Sequence, residues 1–165
     1  MIRLIGDQMR DIFKADIVYV ALLNTETGII EFPYQYGDVL PPLKLSEGLT
    51  GKIIRTGEPV LINEDVDERT IAIGATNIGK DALSYLGVLI KITQGTMGVI
   101  SVQSTTQEGW SNNHSVRLLS TIAANAGAAL HNVQLYTETL KLSLSQHAKE
   151  AAEATNEAKR PSLPR

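Results

Sequence analysis

The stretch Gly48-Leu49-Thr50-Gly51-Lys52-Ile53-Ile54-Arg55-Thr56-Gly57-Glu58-Pro59-Val60-Leu61-Ile62-Asn63-Glu64-Asp65 constrains this chain more than any other. It sets three glycines and a proline around two short apolar runs. The order reads as turn, short helix, glycine stop, buried strand and acidic exit. Leu49, Ile53 and Ile54 share one side of a helix of about two turns. Gly57 suits the left-handed position just past a helix end. Val60-Leu61-Ile62 is β-branched and apolar, as a buried strand requires.

The rest of the chain allows one domain and at most an appendage. It has 165 residues, 43% of them hydrophobic, and domains run to roughly 100–200 residues. That length can bury a core without disulfides or structural metal. There is no cysteine, which removes disulfides, thiolate metal sites, a cysteine nucleophile and a thioether-linked bilin together. A net charge of −3 implies no basic face, so no nucleic-acid partner is expected. Charge interrupts the apolar residues of Met1-Ile2-Arg3-Leu4-Ile5-Gly6-Asp7 too early for a secretory signal. No run approaches the ~20 apolar residues of a membrane helix. The expectation is a cytoplasmic protein with no membrane partner.

Helical spacing of Ile2, Ile5, Met9, Ile12 and Phe13 predicts an amphipathic helix over residues 1–14. Residues 17–23 and 29–36 predict a strand pair joined by Asn24-Thr25-Glu26-Thr27-Gly28. Pro33 within the second predicts an edge position or a bulge. Pro41-Pro42 marks residues 37–47 as loop, and residues 63–83 are the least regular part. Ser84 to Ile92 and Met97 to Ser104 predict a second hairpin, turning at Thr93-Gln94-Gly95-Thr96. From Asn113 the pattern is helical. Leu119, Ile122, Ala126, Ala129, Val133, Tyr136 and Leu140 form a heptad seam. Ser143, His147 and Glu150 then weaken it, and the tail from Arg160 is expected to fray. The fold class is therefore α+β: an antiparallel sheet of about five strands, terminal helices packed on one face, and a long C-terminal helix.

With these residues in this order, the chain resembles a GAF domain over residues 1–136, a GAF/PAS-like fold. The resemblance rests on Gly48, Leu49, Gly51, Gly57, Pro59 and Asp65, then on the serine-led strand Ser84 to Ile90. Gly95, Gly98-Val99, and Asn132 with Leu135 and Tyr136 complete it. Leu89 stands where the family often has proline, and Ser111, Asn112, Asn113 and His114 stand where it usually has acidic residues. The residue set typical of cyclic-nucleotide-binding members is not recognisable.

The resemblance implies a sensory or regulatory module in a signalling pathway, two-component or cyclic-nucleotide, rather than an enzyme. It implies a ligand pocket between the sheet and residues 65–83, with Ile71, Ile73, Thr76, Asn77, Ile78, Tyr85 and Leu89 as its lining. The competing reading is that these residues fill the core beneath a loop. One GAF subfamily reduces free methionine sulfoxide with cysteines, which this chain lacks. Haem would need a histidine facing the pocket, for which His131 is the candidate, and the cofactor is left unknown. Glu64, Asp65 and Asp67 offer oxygen ligands, but a solvated acidic loop is the simpler reading.

Family members often dimerise in parallel through their first and last helices. This places Ile5, Met9, Ala126, Ala129, Val133, Tyr136 and Leu140 in a homodimer interface. Leu118, Ile122 and Leu130 are then left to face the sheet. Residues 137–165 read as a signalling helix leading to an output domain outside the chain. The competing function is a ligand-free module that only dimerises or spaces its neighbours.

Overall fold

The computed structural model describes residues 1–92 and 97–159. The expected turn at Thr93-Gln94-Gly95-Thr96 and the tail from Arg160 lie outside the described residues. Six strands, β1 (Ile17–Asn24), β2 (Ile29–Tyr36), β3 (Leu43–Lys44), β4 (Val60–Ile62), β5 (Ser84–Lys91) and β6 (Met97–Ser104), form one sheet. Its spatial order is β3-β2-β1-β6-β5-β4, and every neighbouring pair is antiparallel. The helices are α1 (Ile2–Phe13), α2 (Gly48–Thr56), α3 (Val66–Ala72) and α4 (Asn113–Lys159).

Two elements depart from the sequence reading. The stretch after Pro41-Pro42 is not all loop: Leu43–Lys44 pairs with Ile29 and Ile30 and adds a sixth, edge strand. Two residues carry no periodicity, so only the burial of Leu43 against the core betrays the strand. Residues 66–72 are helical rather than irregular. Val66 and Thr70 lie one turn apart and are both buried, and the Thr70 hydroxyl donates back to the Val66 carbonyl at 2.6 Å. Asp67 and Glu68 in the first turn complement the helix dipole.

Other local chemistry is as the residues dictate. Gly57 closes α2 with φ of 71°, its N–H donating to the Ile53 carbonyl at 2.8 Å. Register between β1 and β2 slips by one residue opposite Ala21, which puts a bulge at Phe32-Pro33. Asn112 caps α4 by accepting from the Ser115 N–H at 3.0 Å.

The chain divides into two units, one spanning Met1–Ala128 and one beginning at Ala129. In the first, alternation along the strands sorts side chains onto two faces. One face carries Val18, Val20, Leu86, Ile90, Ile100 and Val102, all at most 1% exposed. Helix α1 and the first turns of α4 cover it. Tyr34 lies against Gly6, and the Lys91 carbonyl would stand 2.4 Å from a Cβ at Gly127. The other face carries Tyr19, Ala21, Leu23, Ile62, Tyr85 and Val99, and α2 and α3 cover it with Leu49, Ile53, Ile54 and Val66. Within α4 the buried positions up to Ala128 are Leu119, Ala123, Ala126 and Gly127. The buried stripe thus passes through Ala123, and Ile122 is only half-buried. In the second unit, Leu130 is the one buried residue among the described residues. No helix among the described residues is long and apolar enough to cross a membrane.

Candidate functional site

Strands β1 and β5 each place one tyrosine on the sheet face beneath α2. Both would be aliphatic in a purely apolar core. The Tyr19 hydroxyl lies 2.7 Å from that of Tyr85 and 2.7 Å from the hydroxyl of Thr50 on α2. Ser101 is the cross-strand neighbour of Tyr19, and the Gln103 amide donates to its hydroxyl at 3.4 Å. All five residues are at most 9% exposed. The Tyr19 ring meets Phe32 edge-on, with centroids 5.2 Å apart.

Gly87 makes this arrangement possible. A Cβ there would stand 2.6 Å from Cδ1 of Ile53 and 2.7 Å from the Tyr85 hydroxyl oxygen. The Tyr85 phenol therefore lies along its own strand, over the glycine.

Burial raises the pKa of both phenols and so makes them weaker acids. For Tyr19 desolvation outweighs the hydrogen bonds from Thr50, Tyr85 and Ser101. For Tyr85 desolvation is again the largest cause, reinforced by Tyr19. Both remain neutral at physiological pH, so the cluster offers hydrogen bonds and no charge.

Above this polar floor is a cavity of about 30 Å³. Leu43, Leu49 and Val66 form its apolar wall, and Leu40, Ile78 and Lys80 roof it. A buried water needs roughly 10–15 Å³, whereas ligand pockets run to about 300–1,000 Å³. In this conformation the cavity suits water and not a metabolite. No histidine lines it among the described residues.

The seven residues expected to line a pocket do not converge. Asn77, Ile78 and Tyr85 line the cavity. The Thr76 carbonyl stands 4.0 Å from where a Cβ of Gly48 would be. Ile73 borders an open groove of about 400 Å³ along β4, with Arg69 and Ala72. Leu89 borders a separate groove of about 240 Å³ beside Ser120 and Ala124. Ile71 is 70% exposed. The sequence reading did not name Tyr19, Thr50, Gln103, Leu40 or Lys80. A signal existed for some of these: Ser101 and Gln103 interrupt a buried strand at alternate positions, on the face that Tyr19 and Tyr85 share.

The acidic residues of the 64–67 segment take local partners. Glu64 pairs with Arg69 at 2.5 Å, and the Asp67 carboxylate accepts from the Asn77 amide. No group of three potential metal ligands occurs among the described residues.

The residues expected at a dimer interface also separate. Ile5, Met9 and Ala126 are buried within the chain's own first unit, because α1 and α4 need those positions to cover the sheet. The exposed side of α1 instead carries Leu4 and Ile12. In the second unit Ala129 is half-buried, while Val133, Tyr136 and Leu140 are exposed.

The GAF domain family model matches residues 1–131. No curated protein matches the sequence. Solved structures share the fold. The GAF domain of a phosphoenolpyruvate-protein phosphotransferase from Coxiella burnetii aligns with a TM-score of 0.71 at 16% identity, over 83% of this chain and 84% of that one. The GAF domain of an Acinetobacter phosphoenolpyruvate-protein phosphotransferase gives 0.68 at 21% identity, over 81% and 82%. Free methionine-R-sulfoxide reductase from Neisseria meningitidis, solved with its substrate, gives 0.66 at 13% identity, over 77% and 74%. With a family model matching over most of its length and a fold in common with these domains, the chain belongs to the GAF domain family.

Proposed function

We propose that this protein is a non-catalytic sensory module of a cytoplasmic signalling protein. In this reading residues 1–136 bind a small molecule, and residues 137–165 carry the signal to an output domain. The observation that supports it most is the buried polar cluster of Tyr19, Tyr85 and Thr50 beneath the cavity. Buried hydroxyls cost free energy relative to apolar side chains unless they are satisfied. A cluster that opens onto a cavity has a use in orienting a ligand. The favoured ligand has an apolar body and a neutral hydrogen-bonding group, which matches the uncharged floor and the leucine-rich wall.

Signal transfer requires that the ligand bind two helix arrangements with different affinity. The second copy of the chain is the proposed partner. Val133, Tyr136 and Leu140 are spaced three and four apart and exposed, as one side of a coiled coil would be in a lone protomer.

The small cavity supports a second reading, in which the domain holds no ligand and serves only to dimerise or to space its neighbours. A thermal-shift screen with nucleotides and small metabolites separates the two. The sensor reading expects at least one compound that raises the melting temperature and loses its effect in a Thr50→Val variant. A screen without any shift leaves the spacer reading.

A further inference from the structure

The roof of the cavity is made by two surface segments that hold each other. Lys80 donates from Nζ to the Gly37 carbonyl at 2.6 Å. Its backbone N–H donates to Asp38 Oδ2 at 2.7 Å. Gly79 between them has φ of 94°, and a Cβ there would stand 2.6 Å from the same Asp38 oxygen and 2.7 Å from Leu40. Leu40, which closes the cavity, is splinted in turn by Gln35. The Gln35 amide donates to the Leu40 carbonyl at 3.2 Å and its oxygen accepts from the Leu40 N–H.

The second segment has a natural hinge at Gly74 and a buried anchor at Ala82. Gly74 has φ of 83° with nothing within 4 Å of a Cβ, and Ala82 beyond is 8% exposed. Between them only Ala75 and Ile78 are even half-buried. The floor of the cavity is buried sheet and helix, whereas the roof is held by the exposed polar contacts of Lys80, which water can replace, and by the half-buried Leu40 and Ile78. It can open without unfolding the sheet.

We infer that residues 75–81 are a lid over the cavity, latched shut by the paired contacts of Lys80 with Gly37 and Asp38. The latch sets how often the cavity is accessible. The apparent affinity of a ligand falls by the fraction of molecules that are open. This inference rests on the ligand-binding reading for its purpose, but not for its test.

Hydrogen exchange followed by mass spectrometry on the ligand-free full chain tests it. In Asp38→Ala and Lys80→Met, peptides covering 37–43 and 75–82 exchange about tenfold faster or more than in the wild type. Peptides of β1 and β6 stay unchanged. Val39→Ala, which alters a side chain 84% exposed in the same loop, leaves the lid unchanged. Lys80→Met removes a single surface contact, so it serves even if Asp38→Ala folds poorly. Unchanged lid exchange in Lys80→Met overturns the latch, as does a rise shared equally with β1 and β6. A metabolite screen without hits on wild type and latch variants alike removes the sensor reading while faster lid exchange still upholds the latch. Hits with unchanged lid exchange do the reverse.

Discussion

The hydroxyl oxygens of Tyr19 and Tyr85 lie 2.7 Å apart, although the residues stand 66 positions apart in the chain. Strand β6 between them brings them together, and Thr50 on α2 completes the cluster. Tyr19 bonds to both of the others, which makes it the centre of the cluster. Tyr19→Phe therefore leaves two buried hydroxyls short of a partner, and Tyr85→Phe leaves one. We expect losses of about 2–3 kcal/mol for the first and about 1–2 kcal/mol for the second in urea unfolding. The double variant should lose less than the sum, because both changes remove the same bond. A smaller loss for Tyr19→Phe than for Tyr85→Phe would sink this picture.

Gly87→Ala and Gly127→Ala test two close approaches of different hardness. At Gly87 the new methyl meets the ends of two side chains, Ile53 and Tyr85. Overpacking of that kind costs about 1–3 kcal/mol. At Gly127 it meets the Lys91 backbone carbonyl at 2.4 Å, and backbone moves less readily. Helix propensity alone predicts that Gly127→Ala stabilises by about 1 kcal/mol. We expect the opposite sign, with a larger loss than at Gly87. Equilibrium unfolding of both variants decides it.

Much of the fold was legible because local chemistry specified it. Gly57 as a helix stop and Pro33 as a bulge each follow from a backbone constraint within a few residues. Strand β3 and helix α3 were not legible, because Leu43–Lys44 is too short for periodicity and α3 buries only Val66 and Thr70. The candidate site was legible only in part. Tyr85 sits in a strand that the pattern predicts, and Asn77 and Ile78 sit in the irregular segment before it, where the family resemblance put the pocket. Their partners Tyr19, Leu40 and Thr50 come from distant segments, and the register that joins them cannot be read locally.

Alkaline stability should fall in a defined window. Unfolded tyrosine ionises near ~10. In the fold Tyr19 and Tyr85 are raised by burial, and Tyr34 is pushed up to about 12 by burial and its bond to Asp7. A raised folded value means the unfolded state releases its proton first. The stability from these groups is intact below about pH 10 and is lost above it as pH rises toward the folded values. Each retained proton contributes a slope of up to about 1.4 kcal/mol per pH unit. Tyr85→Phe should show a shallower decline between about pH 10 and about pH 12, measured by urea midpoints. Parallel curves for variant and wild type would refute it.

Asp16 gives the acid counterpart. Its carboxylate accepts from the Thr105 N–H at 2.8 Å, the largest cause of its lowered pKa. Hydroxyls of Thr105, Thr106 and Ser104 add to it. A lowered folded value contributes stability above the unfolded value of about 3.9 and loses it as pH falls through the folded one. Asp16→Asn should be less stable than wild type at neutral pH, and the gap should narrow below about pH 4. A gap independent of pH would assign the loss to geometry and not to charge.

The proposed pairing through α4 makes the sharpest demand. Among residues 131–155 no side chain is buried, and Val133, Tyr136, Leu140 and Leu144 are exposed. Helices in proteins owe most of their stability to the packing of an apolar face and little to intrinsic propensity. Burying large apolar side chains against a second copy stabilises by about 1.5–3 kcal/mol each before the cost of association. Val133→Asp with Leu140→Asp places four carboxylates in the paired seam and should weaken the dimer by about a hundredfold or more. Both positions are exposed in the single chain, so its unfolding transition should move little. Sedimentation across a concentration series reads the first effect, and thermal melting of the first unit's core reads the second. A wild type that stays monomeric throughout defeats the dimer. A variant that loses the core transition along with the dimer would show that these side chains support their own protomer instead.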